Sequence, residues 1–130
     1  LQKRSMKKDL YPGWWIDGAA GHVDAGEGYD EAAKREMQEE IGIDIQLEKL
    51  FKYKKNDVRK NHIDNETILL YLGRNNGPFK INKDEVNFVK FFAPKTVLEM
   101  LKTEKFTPGT RGAYKEIMKR PKLLRRLGLS

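Results

Sequence analysis

The chain has no cysteine among its 130 residues. This excludes disulfide bonds and thiolate metal centres, and it fits a reducing compartment, here expected to be the cytoplasm. Long hydrophobic runs are missing as well. No stretch approaches the roughly 18 consecutive apolar residues that a bilayer span requires, and no signal peptide is visible. Neither a membrane anchor nor a membrane partner is expected. Internal repeats and low-complexity linkers are also lacking, so the length suits one domain, residues 1–130. An apolar fraction of 38% is modest, but 10% aromatic residues and recurring apolar patterns argue for a folded core. The opening LQKRS carries no initiator methionine and reads as the interior of an element. Residues supplying an N-terminal strand are therefore expected upstream of Leu1.

Charge is abundant and unbalanced. The formal net charge is +7, which favours anionic partners: nucleic acid, anionic membrane or phosphorylated small molecules. The bases gather in QKRSMKK, KYKKNDVRK and MKRPKLLRR. No basic zipper, zinc finger or basic–aromatic stacking pattern accompanies them. Nucleic acid is thus not expected as the primary partner. A small phosphorylated substrate is, and homodimerisation is left open.

Periodicity gives the order of elements. After the PGWW turn, residues 14–20 read as a strand, and Gly21, Gly26 and Gly28 punctuate a loop. Ala33, Met37 and Ile41 recur every four residues and predict a helix over 29–41 with one buried stripe. Residues 43–53 alternate and predict a strand or bent strand. The polar run 56–65 reads as a loop, 67–72 as a central strand, 73–85 as turns and 86–92 as another strand. Pro94 suits the first turn of a helix over 94–104. The last helix is expected over 110–119, with Pro121 closing it and a fraying tail. This order predicts a mixed sheet with packed helices, in the α/β or α+β class.

One segment runs against the overall charge. GHVDAGEGYDEAAKREMQEEIGI, residues 21–43, holds seven carboxylates. On a helix, Glu36, Glu39 and Glu40 stand at i, i+3 and i+4 and share a face. Three like charges that close repel, so positive compensation is expected. Arg35, four residues before Glu39, supplies part of it. Spacing alone leaves two readings open: a solvated acidic helix, or carboxylates that hold Mg²⁺ or Mn²⁺ against a phosphate.

The surrounding residues separate these readings. Gly21, five residues, Glu27, seven residues, Arg35-Glu36, an apolar residue (Met37), any residue, Glu39-Glu40, any residue, Gly42 and apolar Ile43 form a fixed pattern. This pattern resembles the motif of the Nudix (MutT-like) family at every defined position. The resemblance implies an α/β/α sandwich with a mixed sheet and a loop–helix–loop cradle. It also implies divalent-metal ligation by Glu36, Glu39 and Glu40, with Glu27 and Arg35 orienting the cradle. Gly21 and Gly42 would permit its tight turns. The chemistry implied is hydrolysis of a diphosphate linkage, with Mg²⁺, or alternatively Mn²⁺, as cofactor.

The flanks LQKRSMKKDLYPGWW, GHV, DNE, INKDEV and KFTPG are similar to a narrower branch, type I isopentenyl-diphosphate isomerases and related bacterial Nudix hydrolases. This similarity extends from Leu1 to about Met118. It implies His22, Asp64 and Glu66 as further metal ligands, with Glu66 also an acid/base. Arg4 and Lys8 would then contact diphosphate. Where those isomerases carry a catalytic cysteine this chain has Ala20, which cannot transfer a proton. Isomerisation needs an acid/base on each side of the alkene, whereas hydrolysis needs metal, water and a base.

The expected activity is therefore hydrolysis of a nucleoside diphosphate derivative or other small organic diphosphate. Glu66 or Glu85 is the expected base, with Glu39 or Glu40 as alternatives. The competing readings are an isomerase-like enzyme and a silent nucleotide- or RNA-binding module. Trp14, Trp15, Phe51 and Tyr53 are expected in the core or lining a pocket.

Overall fold

The computed structural model describes residues 1–17, 26–59 and 62–130, and side chains from 55 to 66 lie outside that description. Among the described residues the order is β1 (Gln2–Arg4), β2 (Trp15–Ile16), α1 (Tyr29–Ile41), β3 (Glu48–Arg59), β4 (His62–Leu72), β5 (Val86–Val89), α2 (Pro94–Thr103), α3 (Pro108–Met118) and α4 (Pro121–Leu127). The α/β class follows. The described strands form two antiparallel sheets, one ordered β2-β1-β5 and the other the β3-β4 pair. The parallel component expected of a mixed sheet is represented there by one bridge, Trp15 to Phe106.

Strand β1 is the centre of the smaller sheet. Lys3 lies opposite Trp15 on one side and Phe88 on the other. Trp15 then meets Phe88 and Phe92 edge to face, each with ring centroids 5.5 Å apart. Its backbone ties this sheet to the segment before α3, accepting from Thr107 N at 3.0 Å and donating to Lys105 O at 2.8 Å. Phe106, Val86, Ile41, Ile43, Ala113 and Ile117 complete a buried apolar core. Withdrawing a side chain as large as Phe106 from water contributes roughly 1.5–3 kcal/mol.

Several boundaries differ from the sequence expectation. Of 56–65, residues 56–59 and 62–65 are strand and not loop: β3 and β4 pair from Glu48↔Leu72 to Arg59↔His62, with a register shift between Lys49 and Phe51. Backbone pairing with an adjacent strand holds the polar run extended, with no need for apolar alternation. The strand anticipated from residue 43 begins at Glu48. The one anticipated over 86–92 ends at Val89. Of 14–20, Trp15–Ile16 is strand, and 18–20 lie outside the described residues. Pro121 opens α4 instead of ending the chain's order, because a proline at the first helical position gives up only a donor that has no helical acceptor. The last expected helix becomes α3, whose start at Pro108 is fixed by Thr107, its side chain accepting from Thr110 N.

Helix α1 spans the range its periodicity predicts, but its inner face is rotated. Ala32, Glu40 and Ile41 are buried, while Ala33 and Met37 are half-buried. The helix ends at Gly42, whose φ of 67° lies in the left-handed region and whose N–H donates to Gln38 O. A Cβ there would stand 2.5 Å from Lys80 O. Gly42→Ala is therefore expected to lower stability by about 1–3 kcal/mol in urea denaturation. Gly109→Ala, where a Cβ meets nothing within 4 Å, should be neutral or stabilising. Equal effects would show that the turn does not require glycine.

Candidate functional site

The site is organised around α1 and the segment that returns beneath its C-terminal end. Beyond Gly42, Lys80 N donates to Ile41 O at 2.9 Å and Asn82 N to Glu40 O at 3.0 Å. These bonds satisfy helix-terminal carbonyls and lead the chain directly into Glu85 and β5. A shallow depression of about 300 Å³ lies here, lined by Gln38, Glu39, Gly42, Lys80, Ile81 and Asn82. A larger one of about 370 Å³ lies between β3 and α4. It contains no residue of the acidic motif, and Arg120 already stacks over its Phe51 ring at 3.7 Å. The smaller depression is the one adjoining the acidic chemistry.

Arg35 ties three glutamates together. Its Nε and Nη2 donate to the two carboxylate oxygens of Glu27, at 2.8 and 3.1 Å. Its Nη1 donates to Glu36 Oε1 at 2.7 Å and to Glu39 Oε2 at 3.1 Å. The Glu27 and Glu36 side chains are only 14% and 16% exposed, whereas Glu39 is 56% exposed. The grip on Glu39 is therefore the one most weakened by solvent screening. Burial raises Glu36 above the usual carboxylate range. Arg35 opposes that rise, and the charges of Glu39 and Glu85 add to it. Glu85, 49 positions after Glu36 in the sequence, is thus brought into its electrostatic neighbourhood.

The basic residues singled out from the sequence have definite partners. Arg4 donates twice to Leu10 O, from Nε at 3.2 Å and Nη2 at 2.9 Å. Lys8 Nζ lies 2.5 Å from Glu85 Oε2. Glu40 is buried, at 6% exposure. Ala20, Gly21 and His22 lie outside the described residues, as do the side chains of Asp64 and Glu66.

Among the described residues no three carboxylate or imidazole side chains converge as a ready-made metal cluster. The donor set nevertheless fits a hard dication. Glu36, Glu39 and Glu85 offer oxygen ligands alone, and the latter two push proton affinity up at the first, as crowded anions do.

Two features escaped the sequence reading. Tyr71 OH donates to Asp30, in the first turn of α1, and Lys49 approaches the same carboxylate at 3.4 Å. The β3-β4 pair thereby fixes the helix start. The other is Asp17, a carboxylate directly after the apolar WWI run, which was the available signal. Part of its surface stays open, yet its carboxyl lies deep among protein atoms, and burial pushes its pKa up to about 6. Its N–H donates to Thr110 Oγ1, which in turn donates to Asp17 Oδ1 at 3.4 Å. Burial and the nearby Asp17 charge push Tyr114 up to about 12.

An α/β scaffold presenting arginine-bound glutamates at a helix, with a further glutamate in the turn before β5, defines an acidic oxygen-donor site. The chain belongs to the Nudix family: the NUDIX domain model matches residues 1–116. It is 28% identical over 116 residues to an uncharacterized Nudix hydrolase of Pseudomonas aeruginosa, covering 88% of this chain and 66% of that protein. With Nudix hydrolase 3 of Arabidopsis thaliana it shares 36% identity over 101 residues, 70% of this chain and 13% of the relative. An isopentenyl-diphosphate Delta-isomerase of Shigella boydii is 30% identical over 90 residues, 66% of this chain and 49% of the relative. The chain thus spans less than two thirds of the length of these relatives. No described helix is long and apolar enough to cross a membrane.

Because the folded state binds the Asp17 proton more tightly than the unfolded chain, ionisation costs stability. That cost begins above the ordinary aspartate range and is complete above about pH 6. Asp17→Asn is expected to raise stability by on the order of 1–3 kcal/mol at pH 7.5, and by less at pH 4.5. Thermal melts of both proteins at the two pH values check this. An identical difference at both would show that Asp17 titrates normally.

Proposed function

We propose that the protein is a Mg²⁺-dependent hydrolase that cleaves a diphosphate linkage in a nucleoside diphosphate derivative or another small organic diphosphate. The observation that carries this reading is the grip of the single Arg35 guanidinium on Glu27, Glu36 and Glu39 along α1. Three carboxylates on one guanidinium leave a net negative charge that a hard dication would balance.

Glu36, Glu39 and Glu40 would hold the metal, with His22, Asp64 and Glu66 as further ligands. Mn²⁺ is the alternative ion. The bound dication supplies charge neutralisation of the diphosphate and an acidified water. Arg35 and Glu27 hold the carboxylates in place, and Gly21 and Gly42 allow the backbone to turn about them. Glu66 or Glu85 takes the proton of the attacking water, with Glu39 or Glu40 in that role if not committed to metal. Lys8 and Arg4 neutralise the distal phosphate, which for Arg4 requires exchanging its bond to Leu10 O.

An isomerase relative is among the matches, but Ala20 stands at the position of the proton-transferring cysteine and the chain holds no other cysteine. Hydrolysis makes no demand on that position. In this reading residues 1–130 act as one cytoplasmic domain on a small phosphorylated substrate. Nucleic acid is not its main partner, no membrane is involved, and homodimerisation is open.

A panel of nucleoside and isoprenoid diphosphates, followed by phosphate release and product mass, tests the reading with Mg²⁺ and with Mn²⁺. Glu39→Gln and Glu40→Gln should each lower turnover by about 10²-fold or more, with melting temperatures close to that of the parent. Wild-type turnover in both variants would reject the metal assignment. Double-bond migration without phosphate release would reject hydrolysis.

A further inference from the structure

The Lys8–Glu85 contact is built by the fold. Strand β1 ends at Arg4, paired with Val86, and the next residue, Ser5, donates its N–H to Glu85 O at 3.1 Å. The chain then turns back: Lys7 N donates to Ser5 Oγ and Lys8 N to Ser5 O. Ser5 is buried at 5% exposure, so the turn is anchored. It carries the Lys8 ammonium back onto the carboxylate of the residue whose carbonyl began it. The two side chains are 26% and 38% exposed. The neighbouring Lys7–Asp84 pair, by contrast, is 71% and 77% exposed, with its contact at 3.1 Å.

Position gives this pair its consequence. Asn82 N donates to Glu40 O and Glu85 N to Asn82 O, each at 3.0 Å, so the backbone of the Lys8–Glu85 pair is tied within two hydrogen bonds to the end of α1 that carries the acidic motif. A cation so placed opposes entry of another cation and offsets the repulsion that the dication would relieve. The ammonium also has the charge to meet a phosphate, and it cannot neutralise both partners fully at once.

We propose that Lys8 is a tethered counter-ion of the acidic site, paired with Glu85 before metal enters and transferred to the substrate phosphate afterwards. This inference rests on the metal reading of Glu36 and Glu39. It makes Lys8 a positioning residue as well as an anion contact, and it couples metal uptake to phosphate capture through one side chain. The carboxylate oxygen that Lys8 holds, Glu85 Oε2, is released only as Lys8 leaves.

The test is Mn²⁺ binding by the full chain without substrate, followed by electron paramagnetic resonance or calorimetry. Lys8→Met should tighten Mn²⁺ binding by about threefold to tenfold. Lys7→Met, which removes the same formal charge one residue away, should change it less than twofold. In a Glu85→Gln background the Lys8→Met gain should fall below twofold, because the ammonium, no longer tethered by its carboxylate, swings out into solvent and is screened. Lys8→Gln, a polar substitute, should reproduce Lys8→Met, and melting temperatures establish that each variant is folded. Equal Mn²⁺ affinity in wild type and the Lys8 variants overturns the counter-ion role alone. So does an equal gain from Lys7→Met, or a gain that survives Glu85→Gln. No Mn²⁺ uptake by the folded wild type would overturn the metal reading itself.

Discussion

The Arg35 guanidinium is the constraint on which the acidic site depends. Helical spacing places Glu36, Glu39 and Glu40 close together, and in water each like-charge pair at about 4 Å costs on the order of 1 kcal/mol, more where solvent is excluded. Arg35 offsets this by presenting a planar fork to several acceptors at once. A lysine at this position would satisfy fewer of them and would not fix their planes. The arms of the fork are also unequal. Glu27 and Glu36 are held where water is scarce, whereas Glu39 is held where it is plentiful. Glu39 is consequently the carboxylate that exchanges its partner at least cost, and Glu27, held by two bonds, the one most firmly placed.

The rest of the scaffold keeps that helix in register with a distant strand. Tyr71 and Lys49 hold Asp30 at the first turn of α1, while Lys80 and Asn82 bind its last carbonyls. Between those clamps the helix has little freedom to rotate or slide. Gly42 makes the second clamp possible, since any side chain there meets Lys80 O. The same return path carries Glu85 toward the end of α1, and the turn after β1 sets Lys8 against Glu85.

Local chemistry made much of this legible in the sequence. Helix α1 could be read from its spacing because its period, its acidic first turn and its terminal glycine agree, and the acidic motif could be read from fixed positions. Non-local pairing was harder. The polar stretch after Lys55 carries no strand pattern of its own, and only its partner strand holds it extended. Pro121 is as compatible with a helix start as with a helix stop, and packing of α4 decides: Arg126 donates to both oxygens of Glu48, and Arg120 covers Phe51. The buried face of α1 was misplaced for a related reason. Glu40 lies inward with Ile41, a position that hydrophobic periodicity assigns to an apolar residue. Asp17 likewise takes its character from burial beneath Thr110, which no neighbouring residue announces.

The contrast between a basic chain and an acidic helix is resolved by where compensation is placed. Positive groups do not simply surround the motif. Arg35 lies within it and fixes geometry, chiefly through its sheltered contacts with Glu27 and Glu36, and Lys8 reaches Glu85 from the turn after β1 through a single flexible stem. A rigid fork and a mobile point charge have different uses. The first maintains the spacing of the carboxylates whatever else binds, and the second can change partners without disturbing that spacing. A site whose only compensation was rigid would resist the arrival of a dication throughout, and one whose only compensation was mobile would splay when its cation left. In the proposed reading, having one of each would allow the acidic face to persist before binding and still accept positive charge.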